Sequence, residues 1–368
     1  MYCLILCKEE FASGNLSTAK YLREIFELYL EAAYVKIVNV SNEGSLKDVE
    51  NFNLSTSHPK IAIALHLRRC ANLLHRLDKN IPILSVCTGS DLYLDKNHDV
   101  YLKAMNELVN RSFAVVLFNQ PMLKLFEEIW PRYNGQLKVI HQAPKVDVDH
   151  AEHNKERVLN CIESKLGVEL KPFFIVVGRL RDVKDPEFAL NSFLEWRNQG
   201  EHNNNNCKKT ASSINYKSYR LLYVGSVEED TENVQQFVDK IDGKIVHRCD
   251  SLEQNELHSL MLNAQALINC SISEGQSVSI MEAMILGVPV VARENPGNCD
   301  LIKHKENGLI FKTSKEFGEC LTQLEGNPEL RKQLISSSES FIEGKEFQRE
   351  HQAKLYSQII QEYFSSHS

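Results

Sequence analysis

Twelve short apolar runs rich in β-branched residues, most of them trailed by a stretch of helical period, set the limits on how this 368-residue chain can fold. Strands that are apolar along their whole length need cover on both faces. They therefore belong in parallel sheets with helices on either side. The first six runs are YCLIL, YVKIVNV, KIAIALH, IPILSVC, FAVVLFN and LKVI, separated by stretches such as NLSTAKYLREIFELYLEAA and PMLKLFEEIW. The second six are PFFIVVG, YRLLYVG, KIVHR, ALINCS, VPVVAR and GLIF. Two Rossmann-like, doubly wound α/β domains in tandem are the expectation.

The rhythm lapses between the two series, which divides the chain into residues 1–145, a linker at 146–170 and a second domain at 171–343. The linker reading rests on Pro144 and the Asp, His and Glu residues that follow it. Residues 344–368 read as a terminal helix packing back on the first domain. The polar run EHNNNNCKKTASSINYKS, from 201, reads as an exposed, mobile loop inside the second domain. Such a length also fits two cores better than one.

A formal charge of −7 argues against a nucleic-acid surface. The ten cysteines show no Cys-x-x-Cys spacing, so they read as reduced, buried thiols of a cytoplasmic protein and not as a disulfide framework or a zinc site. No run reaches the roughly 18 apolar residues of a membrane span. The opening MYCLILCKEE is too short for a signal h-region.

In open α/β sheets, ligands collect where strands end and helices begin. There is no GxGxxG and no Walker lysine motif here, so another arrangement must serve. At GRLRDVKDP, Gly178 ends a strand, Pro186 suits the first turn of a helix, and Arg179 and Lys184 can converge on one anion. A solvated basic loop paired with Asp182 and Asp185 explains the same residues equally well. At SISEGQSVSIMEAM, Glu274 lies in a loop, Gly275 allows close backbone approach, and a helix starts at Ser277. The amides of Gln276, Ser277 and Val278 could hold phosphate oxygens, and Glu274 and Glu282 could accept from polyol hydroxyls. The plain alternative is a loop acid and a solvated helix acid.

These motifs, with ARENPGN downstream, resemble the nucleotide-sugar site of glycosyltransferase family 4, most strongly over residues 171–311. The resemblance implies a GT-B architecture of two Rossmann-like domains facing a central cleft, with donor binding in the second and acceptor binding mainly in the first. It implies transfer from a nucleoside-diphosphate sugar to an acceptor that the motifs do not name, with retention and without a metal or other cofactor. Arg179 and Lys184 would neutralise the diphosphate, Glu274 would hold the donor sugar and Glu282 the ribose.

The first half departs from the family in places. The loop at Gly14 and Asn15 resembles the family's glycine-bearing loop but has one glycine where many members have two, and a plain turn explains it as well. At CTGSD, Thr88 stands before Gly89 where the family often has a His. Ser90 and Asp91 could orient an acceptor, although capping the next helix is the simpler reading. His66, at a strand's end, could line an acceptor cleft or serve the structure. Cys87 has no His beside it in sequence to activate it as a nucleophile. Pro144 and Lys145 occupy the place of the family's Asn-Gly hinge pair. The missing His and altered hinge motivate an alternative, a sugar-nucleotide-binding protein that no longer catalyses transfer. A nucleotide-sugar epimerase is a further alternative, but its paired acid and base cannot be picked out in this sequence.

Overall fold

The computed structural model describes residues 1–8, 14–30, 34–54, 59–199 and 214–367. The chain divides into two compact units, Met1–Pro144 with Gly344–Ser368, and Lys145–Glu343. Each is built on a six-stranded parallel sheet.

In the first unit the strands are β1 (Tyr2–Cys7), β2 (Tyr34–Asn39), β3 (Lys60–Leu65), β4 (Ile83–Val86), β5 (Ser112–Leu117) and β6 (Gln136–Val139). Their order across the sheet is β2-β1-β3-β4-β5-β6. The helices are α1 (Gly14–Leu28), α2 (Leu46–Leu54), α3 (Leu67–Ala71), α4 (Ser90–Tyr93), α5 (Asp99–Arg111) and α6 (Gln120–Ile129). Central strands are buried along nearly their whole length, as helix cover on both faces requires. Their register sets Ile5 of β1 between Ile37 and Ile63.

The second unit carries β7 (Phe173–Val177), β8 (Arg220–Val224), β9 (Val246–Cys249), β10 (Leu267–Asn269), β11 (Val290–Arg293) and β12 (Leu309–Phe311), ordered β12-β11-β10-β7-β8-β9. All twelve strands coincide with the apolar runs of the sequence. The helices are α7 (Val148–Leu166), α8 (Pro186–Asn198), α9 (Glu232–Asp239), α10 (Gln254–Met261), α11 (Val278–Ile285), α12 (Pro296–Leu301), α13 (Ser314–Gly326) and α14 (Pro328–Ile342). The order of β10, β7 and β8 places the chain reversal of a doubly wound sheet at β7 and β10, and ligand sites of such sheets lie at that reversal.

The stretch expected as a linker holds α7. Asp147 caps it by accepting from the His150 amide at 2.9 Å, and Gly167 ends it in the left-handed region. Ala151, Val158, Leu159 and Ile162 form one buried stripe that packs on α10, so the charges that suggested a linker occupy only the other face. The chain passes between units at Pro144 and Lys145 and returns at Glu343 and Gly344.

The final helix, α15 (Arg349–Ser366), belongs to the first unit. Ala353, Tyr356, Ile359 and Ile360 join its core, and Arg349 pairs with Glu24 of α1 at 2.7 Å. Burying a large apolar side chain of this kind stabilises by roughly 1.5–3 kcal/mol. The Asn-rich stretch, expected as a mobile loop, lies outside the described residues as far as 213. No described helix is long and apolar enough to cross a membrane.

Candidate active site

The carboxyl ends of β7, β8, β10 and β11 are held together by close backbone approach. A Cβ on Gly225, just after β8, would sit 2.0 Å from the carbonyl oxygen of Gly178. One on Gly297, in the first turn of α12, would sit 2.3 Å from the carbonyl oxygen of Glu274. Only glycine lets these segments touch. Gly225→Ala or Gly297→Ala is therefore expected to lower stability by about 1–3 kcal/mol, read as a fall in the denaturation midpoint. An unchanged midpoint in both would refute the close approach.

Each basic side chain at this edge has an acidic partner. Arg179 Nη1 lies 3.3 Å from Glu228, and Arg181 Nε lies 3.1 Å from the same carboxylate. Lys184 Nζ lies 2.5 Å from Glu274 Oε1, and Arg293 Nη1 lies 2.6 Å from Asp185 while stacking over Phe188. The expected pairing of basic loop residues with Asp182 and Asp185 takes another form. Asp182 accepts from Thr231 Oγ1, and Asp185 holds Arg293.

Glu274 is the most connected of these acids. Its Oε1 accepts from Lys184, from Ser271 Oγ at 2.6 Å and from Asn269 Nδ2 at 3.2 Å. Burial raises its pKa, but the Lys184 charge and these bonds outweigh that and hold the carboxyl below its ordinary value. Its Oε2 accepts no hydrogen bond from any described residue and stays open to solvent. Behind it stands an asparagine frame. Asn298 Nδ2 donates to Asn269 Oδ1 at 3.2 Å, Asn295 Nδ2 donates to the Ser271 carbonyl at 2.9 Å, and Asn295 Oδ1 caps α12 through the Asn298 amide.

Gly275, Gln276 and Ser277 are buried in the turn that leads into α11. The helix starts at Val278, one residue later than expected, with Ser277 as its N-cap. Ser277 Oγ caps no amide. It accepts from Asn269 Nδ2 at 3.2 Å, which leaves the first-turn amides to another acceptor. Glu282, in the second turn, is 4% exposed and so is not a solvated helix acid. Its Oε1 accepts from Gln254 Nε2 at 2.8 Å, and His258 Nε2 lies 3.3 Å away. As in Glu274, Oε2 has no described hydrogen-bond partner and is not sealed from solvent. The two glutamates thus share one pattern, one oxygen fixed by the protein and one left open.

In the first unit the predicted residues divide. Asp91 is fully buried, and its carboxylate accepts from the amides of Leu67, Thr88 and Gly89 at 2.9–3.2 Å. The expectation that it meets an acceptor is corrected, because its oxygens tie the ends of β3 and β4 together. His66 is 1% exposed, with φ at 78°, and its Nε2 lies 3.0 Å from Ser90 Oγ. Asp95 stands 3.8 Å from the same nitrogen and is paired with Arg68 at 2.8 Å. A non-glycine residue held at positive φ marks local strain. The Cys87 thiol is pushed well above its ordinary value by burial and then by Asp91, which makes it inert as a nucleophile. Thr88 is half-buried, and Gly14 and Asn15 stand at the start of α1, Gly14 with open space around it.

Sequence reasoning missed Asn269, Ser271, Asn295 and Asn298, as well as Arg181, Glu228, Gln254 and His258. Only Asn295 carried a local signal, since Asn followed by Pro at the first helical position is an N-cap signature. The others meet through the fold and not through spacing.

The sequence of residues 162–341 matches the family described as glycosyl transferases group 1. A curated relative, glycosyltransferase 1 domain-containing protein 1 of Xenopus tropicalis, is 26% identical over 90% of this chain and 89% of its own length. Among solved structures, Anabaena HepE in complex with UDP-glucose covers 99% of this chain and all of its own, with a TM-score of 0.71 at 15% identity. Sucrose-phosphate synthase from Thermosynechococcus elongatus covers 99% of both chains, with a TM-score of 0.73 at 12% identity. These likenesses give the two sheets the GT-B fold, and within that fold residues 162–341 match the group 1 glycosyl transferases.

Proposed function

We propose that the chain transfers a sugar from a nucleoside-diphosphate sugar to an acceptor hydroxyl, with retention of configuration and without a divalent metal. The observation that carries this reading is the shared state of Glu274 and Glu282, each with one oxygen fixed and one open. An ionised carboxylate with a free oxygen suits a polyol, because it accepts from several O–H donors. Glu274 takes hydroxyls of the donor sugar and Glu282 takes those of the ribose. Gly178 and Gly275 let the backbone approach the diphosphate. The amides of Gln276, Ser277 and Val278 bind its oxygens, as helix N-termini do.

In the reaction the bond from C1 of the sugar to the diphosphate oxygen breaks, and a bond from C1 to the acceptor oxygen forms. The acceptor proton passes to the departing phosphate, which serves as base because Thr88 has no basic group near neutral pH. Negative charge builds on the leaving diphosphate, and Arg179 and Lys184 stabilise it there, the role a metal ion plays elsewhere. Likeness to HepE, whose structure holds UDP-glucose, makes UDP-sugars the first donors to try.

The test is incubation of the purified chain with a panel of UDP-, GDP- and ADP-sugars, following nucleoside diphosphate release with and without EDTA. The expected result is release from one donor class, unchanged by EDTA, with the product anomer matching the donor by NMR. Binding or release of none of them would overturn the reading.

A further inference from the structure

Glu282 is held by a different helix from its own. Gln254, the first residue of α10, donates from Nε2 to Glu282 Oε1 at 2.8 Å, and His258 Nε2 lies 3.3 Å from the same oxygen. Residues four apart share a helix face, so Gln254 and His258 flank Oε1 together. The far end of α10 is tied down as well. Asn263 Nδ2 donates to the Lys155 carbonyl of α7 at 3.0 Å, and α7 packs against α10. The partner is thus anchored to the body of the second unit.

The two glutamates differ in their partners. Lys184 pairs with Glu274 directly, whereas Glu282 is met by the neutral amide of Gln254 and by the His258 ring. A carboxylate with one oxygen fixed and the other open remains an acceptor at Oε2.

We propose that Gln254 and His258 are positioning residues for nucleoside recognition, clamping Oε1 of Glu282 so that Oε2 is presented to the 2′,3′-diol of the ribose. This rests on the donor-site reading given above. The group they serve is a vicinal diol on a nucleoside diphosphate, and the contrast they set is ribose against a sugar lacking those hydroxyls. Binding energy at such a site depends on how well the acceptor is fixed before the ligand arrives.

The test is calorimetric titration of the full chain with UDP, GDP and ADP, then with the 2′,3′-dideoxy form of the tightest binder. For Gln254→Leu the ribose form is expected to bind roughly tenfold more weakly while the dideoxy form is unaffected. His258→Asn, a smaller change, is expected to give the same pattern at a few-fold. Lys184→Met, which touches the diphosphate and not the ribose, should weaken both forms alike. If both α10 variants weaken the two ligands equally, or neither, the positioning role is overturned while the donor site stands. If the wild-type chain binds no nucleoside diphosphate, the donor reading falls and the inference with it.

Discussion

Lys184→Met is expected to reduce transfer from the nucleotide sugar by at least about a hundredfold to a thousandfold. Lys184 lies 2.5 Å from Glu274, and in the proposed reaction the diphosphate would bring further negative charge to the same place. Without the ammonium group, an uncompensated carboxylate would face an increasingly charged leaving group. The same variant has a second signature, in stability against pH. In the native chain burial pushes Glu274 up, but Lys184 and the hydrogen bonds bring it below its ordinary 4.5. A depressed folded pKa adds stability above the unfolded value, and that stability is lost as pH falls through the folded one. With Lys184 removed, its charge and its hydrogen bond no longer lower the carboxyl, so the Glu274 pKa rises and the stability lost on acidification should shrink. Thermal unfolding between pH 3 and 7 for both proteins reads this directly. Parallel pH profiles, or near-normal transfer by the variant, would refute the pairing.

Most of the fold was legible because its signal is local. Each strand is an apolar run, and the two sheets form in sequence order without exchange of strands between units. The helix at 148–166 was obscured because its stripe of Ala151, Val158, Leu159 and Ile162 is diluted by charge on the other face. The candidate site was legible at the residues proposed for the donor, Arg179, Lys184, Glu274 and Glu282, where chemistry and spacing coincide. It was illegible where a side chain acts through a partner far along the chain. Asn298 reaches Asn269 across 29 positions, and Gln254 reaches Glu282 across 28. No periodicity announces such pairs, because the strand order of the sheet brings them together.

The state of the two glutamates links fold to chemistry. Glu274 sits in the turn between β10 and α11, where the asparagine frame from α12 and the absence of a Cβ on Gly297 fix the backbone. Glu282 sits in the second turn of α11, against α10. The turn and the first residues of one short helix therefore set the separation of two acceptors, with α12 beside the first and α10 beside the second.

Asp91→Ala is expected to destabilise the first unit by about 3–5 kcal/mol, because it removes the acceptor of the Leu67, Thr88 and Gly89 amides. Asp91→Asn keeps one acceptor oxygen and so falls less far, and its pH dependence is the sharper test. Burial lifts the Asp91 carboxyl from 3.8 to about 6, against the pull of the three amides. A carboxyl raised in the folded state opposes folding once ionised. Its stability contribution is greatest below the unfolded value of 3.8, declines as pH rises and levels off above about 6. Asn does not titrate, so the stability gap between wild type and Asp91→Asn should be widest near pH 4 and should narrow toward pH 7. Each pKa unit is worth about 1.4 kcal/mol, so the narrowing between pH 4 and pH 7 amounts to roughly 2 kcal/mol. Hydrogen exchange at the amides of β3 and β4 reads the first unit separately from the second, and Asp95, whose carboxyl burial also raises, cancels in the comparison. A gap that stays constant from pH 4 to 7 would mean that Asp91 is not the buried acid joining these two strands.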